Sequence, residues 1–197
     1  MKQQFKNEQL SRTVVKNRII KLFNQTTTDE RFDWYQDANN FAKNLHSNHS
    51  KAIGVIAALS PVKTWDQNKV CAKYFINKGV SGHMKQFTEK ADRILRSDGT
   101  DEEILSILNG SKISAFYMNI KYPQHGANVT IDRHALSICL NRWVTDKEYS
   151  GMTAKQYAFF QNCYILAAIQ LGETPLLVQS ATWVLFRKIK RTYKSNR

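Results

Sequence analysis

Apolar residues recur at intervals of three and four along almost the whole chain, and runs alternating apolar with polar residues are nearly absent. That spacing lines one face of a 3.6-residue helix, so it predicts one helix after another. Val14, Val15, Ile19, Leu22 and Phe23 make the first stripe. Thr28 and Asp29 offer an N-cap for a helix carrying Phe32, Tyr35, Ala38, Phe41 and Leu45. After a polar break at 46–50, residues 52–59 read as a buried helix. It stops at Ser60-Pro61, because proline disfavours helix in the residue before it. Further helices are expected over 65–76 (closed by Lys78-Gly79), 84–96, 101–108, 112–120, 131–144, 154–170 and 174 to 191. Residues 97–100 and Asn109-Gly110 read as turns, and 122–128 as a loop. The expectation is an all-α fold of about ten helices, compact and in a single domain over 1–197. No internal repeat, low-complexity segment or linker interrupts it.

Composition narrows the classes without changing that picture. Apolar residues make up 42% of the 197 and charged residues 23%, a balance that folds. No run approaches the ~20 apolar residues of a membrane-spanning helix. The opening MKQQFKNEQL has no apolar core, so no secretory signal is expected. Cys71, Cys139 and Cys163 form an odd, widely spaced set without CxxC, neither a disulfide framework nor a metal-ligand pattern. A reducing cytoplasm is the expected compartment, with no metal, no cofactor, no membrane and no obligate protein partner. No Walker-type phosphate loop and no dinucleotide fingerprint is present.

Net charge is +13 and sits at the ends. Residues 1–21 carry six bases and Glu8, residues 187–197 carry six bases and no acid, and residues 22–186 hold only +2. Two readings stand side by side: solubilising, frayed termini, or basic arms that meet nucleic acid.

The chemistry-bearing block is 104–142. Two predicted helices meet at Asn109-Gly110, the second opening with Ser111-Lys112, and a loop then delivers a helix opening with Asp132. Backbone N–H groups at a hairpin and a helix start bind phosphate without side-chain charge. Gly110-Ser111-Lys112 with Ala115, then Ile131-Asp132-Arg133-His134 with Lys112 and Asp132 20 residues apart, then Ile138-Cys139-Leu140-Asn141-Arg142, together resemble the helix-hairpin-helix base-excision DNA glycosylase superfamily. There a Gly-x-Lys-x-x-Ala hairpin precedes a helix that opens Val-Asp-x-His. Upstream, Ala57-Ala58-Leu59-Ser60, Asn68-Lys69 and Ala72-Lys73 are similar to the family's segment on the damaged strand, and 90–94 to the helix entering the hairpin, so the likeness runs over about 53–142. Leu108 replaces the earlier hairpin glycine, and the four-cysteine iron–sulfur loop of some members is absent.

The resemblance implies a DNA N-glycosylase on double-stranded DNA with a modified or damaged base, which it flips into a pocket. Asp132 would stabilise the cationic C1′ as the base leaves. Lys112 would be the amine of an associated lyase step. Asn109, Gly110, Ser111, Arg133 and His134 would meet the nucleic acid, with Trp65 and Gln67 (beside Thr64) where the family plugs the gap left by the flipped base. Plainer readings remain for each. Asp132 is also an ordinary N-cap, Lys112 a solvated lysine or phosphate contact, His134 a core histidine and Trp65 a core ring. Arg133 and His125 are candidate phosphate contacts. Trp34, Trp143, Trp183, Tyr164 and Phe186 read as core at helical spacing. Asp29-Glu30 and Asp101-Glu102-Glu103 read as acids in first helical turns. The alternatives to a glycosylase are a non-catalytic helix-hairpin-helix DNA-binding module and a hydrolase of a modified nucleotide.

Overall fold

The computed structural model describes residues 2–5, 8–124 and 128–195. In chain order the elements are β1 (Lys2–Phe5), β2 (Glu8–Ser11), α1 (Arg12–Phe23), α2 (Trp34–Lys43), α3 (His49–Ala58), α4 (Trp65–Lys78), α5 (Lys85–Arg96), α6 (Asp101–Leu108), α7 (Ser111–Lys121), α8 (Arg133–Leu140), α9 (Asp146–Ser150), α10 (Ala154–Leu171) and α11 (Pro175–Ser195). The protein is all-helical apart from one two-stranded ribbon among the described residues. Its contacts divide into two compact units: Met1–Trp34 with His125–Arg197, and Tyr35–Gln124 inserted between them.

In the first unit, α1 buries Val15, Ile19 and Phe23 against α8 and α10. Helix α10 supplies Phe159, Phe160, Cys163, Tyr164, Ala167 and Ala168 to the same core. The ribbon pairs β1 with β2 antiparallel, Gln3 opposite Leu10 and Phe5 opposite Glu8. Phe5 and Leu10 are buried, and the Phe5 ring meets Phe160 edge-on at 5.9 Å. The side chains of Phe5 and Leu10 are therefore packed into the core. The ribbon was invisible to a helical pattern because two four-residue strands place only two apolar side chains inward.

Helix α11 is tied to the turn before α2. Lys188 on α11 pairs with Glu30, whose carboxylate also accepts from Thr27 N at 2.7 Å and Thr27 Oγ1 at 2.6 Å. That makes 27–30 a turn of its own and delays α2 to Trp34, so Glu30 does not belong to a first helical turn as expected. A single helix over 131–144 is also corrected. Asn141 takes the left-handed region at φ 53, and Arg142 N turns back to Ser137 O at 3.2 Å, ending α8. Thr145 and Glu148 then form a capping box that opens α9.

In the second unit α3 is central, packed by α4, α5, α6 and α7. All residues of α3 from Ala52 onward are buried. Burying a side chain such as Ile53, Val55 or Ile56 contributes about 1.5–3 kcal/mol. Helix α4 opens on the Thr64–Gln67 capping box and closes at Gly79 in the left-handed region, φ 72. Helices α6 and α7 are joined by Asn109 and Gly110 alone. Asp101 at the start of α6 accepts from Tyr117 at 2.5 Å, from Tyr122 at 2.6 Å and from Lys121, tying α6 to α7. Burial, then the Asp101 carboxylate beside it, push the Tyr117 hydroxyl far above its usual range, so it stays a donor.

Candidate functional site

Asp132 is brought to α8 by an extended segment pinned from both sides. Ile131 N donates to Tyr157 Oη at 3.0 Å, and Ile131 O accepts from Tyr149 Oη at 2.7 Å. Gln161 Nε2 donates to Val129 O at 2.9 Å. Burial above all, with the nearby Tyr157 and the charge of Asp132, raises Tyr149 far above its usual range, which keeps that donor protonated. Asp132 itself is the N-cap of α8 and half-buried. Its Oδ1 accepts from Ala135 N at 2.7 Å, and its Oδ2 accepts from the Trp183 indole at 2.9 Å. Each carboxylate oxygen offers about two lone-pair sites, so one N–H on each orients the group and leaves acceptor capacity toward a positive centre.

Around that carboxylate stands a wall of rings and cations. The Trp183 ring lies 6.2 Å from Trp34 and 6.4 Å from His134, and His134 lies 6.0 Å from Phe186. Phe186 lies 4.6 Å from Trp143. The Arg187 guanidinium sits 4.6 Å over Trp183 and the Lys190 ammonium 5.6 Å over Trp143. Burial first lowers the His134 imidazole; the Asp132 charge raises it, and Lys190, Arg133 and Arg187 lower it again. Arg133 pairs with Asp146 at 2.9 Å. Of the residues expected as core, Tyr164 is fully buried, whereas Trp34, Trp183 and Phe186 are half-buried and Trp143 is exposed. Trp183, Phe186 and Lys190 fall at i, i+3 and i+7 on α11. The same stripe reads as core in sequence, because periodicity marks a shared face and not what covers it.

The other expected residues lie in the second unit. Asn109 is the left-handed C-cap of α6 at φ 44. Gly110 and Ser111 open α7, which has no side-chain cap. Lys90 donates to Leu108 O, fixing the turn, and a Cβ at Gly110 would meet nothing within 4 Å, so the tip is open. Lys112 is half-buried in the first turn of α7. Trp65 meets Phe41 edge-on at 6.0 Å with the Lys69 ammonium 5.7 Å from its ring. Gln67 Oε1 accepts from Thr64 N at 2.9 Å, closing the capping box of α4. Asn68 is buried and donates to Ile56 O at 3.1 Å. His125 lies outside the described residues.

Thus Asp132, Arg133 and His134 gather at the start of α8, and Asn109, Gly110, Ser111 and Lys112 gather at the α6–α7 turn. Trp183, Trp143, Phe186, Arg187, Lys190, Tyr149 and Tyr157 join the first group without having been picked out as site residues. The three cysteines are buried free thiols. Among the described residues, no three His, Cys, Asp or Glu side chains gather as a metal site, and no helix is long and apolar enough to cross a membrane. No curated protein and no solved structure matches the chain. The sequence profile of DUF7178, a family of unknown function, matches residues 1–190, and the chain belongs to that family.

Proposed function

We propose that the chain is a DNA N-glycosylase that removes a damaged or modified base extruded from duplex DNA. The observation that carries the reading is the Asp132 carboxylate, oriented by Ala135 N and Trp183 Nε1 at the mouth of α8 among rings and cations. As the N-glycosidic bond breaks, C1′ gains positive charge. A prepositioned carboxylate in a partly desolvated setting opposes that charge without having to reorganise. The rings beside it suit an extruded nucleobase. In this reading α6, the Asn109-Gly110 turn and α7 are the helix-hairpin-helix element, whose uncapped N–H groups meet a phosphate. Lys112 is the amine that attacks C1′ where a lyase step follows.

Asp132→Asn keeps a cap and removes the charge. Base release from a panel of oligonucleotides bearing different lesions, scored as alkali-revealed abasic sites, is expected to fall by about 10²–10³-fold. Duplex affinity is expected to hold within about twofold. Wild-type release in this variant overturns the mechanism. The cap itself favours a second reading, a non-catalytic DNA-binding module in which Asp132 only holds α8. That role predicts a stability loss of about 1 kcal/mol in Asp132→Ala and no base release by the wild type. Release from free deoxynucleotides with little duplex binding would instead identify a nucleotide hydrolase. For the lyase step, borohydride is expected to trap a covalent adduct on abasic DNA that disappears in Lys112→Ala; an adduct that persists there removes Lys112 from the chemistry.

A further inference from the structure

Trp143 is 43% exposed, while the other three tryptophans are half-buried. It is also rigidly presented. Arg142 N donates to Ser137 O at 3.2 Å, and Val144 N donates to Ser137 Oγ at 3.1 Å. The Arg142 guanidinium bonds Glu8 at 2.7 Å and Glu148 at 2.8 Å, and donates to Trp143 O at 3.2 Å. An indole kept in water on a loop pinned at both neighbours loses little entropy on binding, the property of an interface anchor. Phe186 backs it at 4.6 Å and Lys190 lies 5.6 Å over it.

The charge around it selects the occupant. From Arg187 onward the chain has six bases and no acid, and the unit as a whole has 17 bases and 8 acids, a net of +9. A second copy of this unit would be repelled. An acidic peptide brings charge but no flat ring. We infer that Trp143, backed by Phe186 and flanked by Lys190, is a stacking platform for an unpaired base of a DNA strand, whose phosphate meets the Lys190 ammonium. Every base has a π-face, so such a platform grips without reading sequence. The inference takes its ligand from the proposed function, but it does not depend on chemistry at Asp132.

The test is fluorescence anisotropy with a labelled duplex carrying a short single-stranded gap, beside a fully paired duplex of equal length. Trp143→Leu keeps apolar bulk and removes the aromatic face. Its affinity for the gapped duplex is expected to fall about tenfold while the paired duplex changes less than about twofold. Trp143→Phe recovers most of the loss. Lys190→Ala reduces the slope of log affinity against log salt by about one. Wild-type binding by Trp143→Leu, an equal loss on both duplexes, or displacement of the DNA by polyglutamate at matched charge overturns the platform. If Trp143→Leu fails to fold by circular dichroism, Trp143→Phe and Lys190→Ala decide, and wild-type affinity with an unchanged salt slope in Lys190→Ala is then the overturning result. Base release by Asp132→Asn is read alongside. Wild-type release there, with a binding loss in Trp143→Leu, removes the glycosylase reading and leaves the platform standing; the reverse pattern removes the platform alone.

Discussion

At the scale of single residues, the charge of Asp132 acts on the His134 imidazole two residues along. His134 is held below the ordinary 6.5 first by burial, then by Lys190, Arg133 and Arg187, while Asp132 opposes them. Removing the Asp132 charge therefore removes a group that raises the imidazole. In Asp132→Asn the His134 titration midpoint, followed by the imidazole C–H shifts in NMR, is expected below that of the wild type; in Lys190→Ala it is expected above. A midpoint that rises in Asp132→Asn would mean that the two groups do not face each other. The linkage has a definite sign. A histidine whose folded pKa is lowered binds its proton more readily in the unfolded chain, so its contribution is full above about 6.5 and is lost as pH falls below that value. That Asp132 opens a helix was legible in sequence because a helix-opening acid within Ile-Asp-x-His is a local pattern. Trp183, which fixes its second oxygen, was not: it lies 51 residues away, and only the docking of α11 on α8 brings the two together.

At the scale of elements, ends marked by local backbone chemistry were readable and ends set by tertiary partners were not. Gly79 and Asn109-Gly110 stop α4 and α6 where the sequence places the stops, because a left-handed residue is a local requirement. The start of α2 depends on Glu30 folding back to Thr27 and on Lys188 more than a hundred residues away, and no local pattern carries that. Helix α3 shows what the sequence conceals in plain view. Its Gly54 sits in a run that reads simply as buried, yet a Cβ there would lie 2.8 Å from Ile94 Cγ2 and 3.1 Å from Ile104 Cγ2. Both isoleucines are fully buried and cannot swing away. Alanine gains about 1 kcal/mol of helix propensity over glycine, against an overpacking cost of about 1–3 kcal/mol. Gly54→Ala is expected to lose about 1 kcal/mol net in urea unfolding, and Gly54→Val, with two more methyls, about 3 kcal/mol. A stabilised Gly54→Val would show that α3 does not approach α5 and α6 this closely.

At the scale of the whole molecule, two ion pairs tie charges near the chain's ends to distant parts of the sequence: Lys188 to Glu30 and Glu8 to Arg142. The sequence located the charge but not its anchoring, because Glu30 pairs with Lys188 and Glu8 with Arg142 only after folding. Deleting 187–197 therefore removes Lys188 from a buried carboxylate together with five further positive charges, so single substitutions separate charge from stability more cleanly. Acid is the other way to break the same anchor. The Lys188 ammonium and the Thr27 donors hold Glu30 down to about 2 from the ordinary 4.5, and the Thr145 and Arg142 donors hold Glu148 to about 2 as well. A carboxylate whose folded pKa is depressed binds protons more readily when unfolded. Its contribution is therefore full above about 4.5 and lost as pH falls toward 2. The surplus of positive charge adds self-repulsion over the same range as other carboxylates neutralise. The thermal midpoint is accordingly expected to fall steeply between pH 4.5 and 2. Glu30→Gln, which cannot titrate, is expected to start lower at neutral pH and to lose less over that interval than the wild type. Lys188→Met, which leaves Glu30 without its cation, is expected to raise the Glu30 pKa and shift the onset of the fall to higher pH. Thermal melts by circular dichroism across that range decide the matter. Parallel curves for wild type and Glu30→Gln would show that this carboxylate does not hold α11 to the turn before α2.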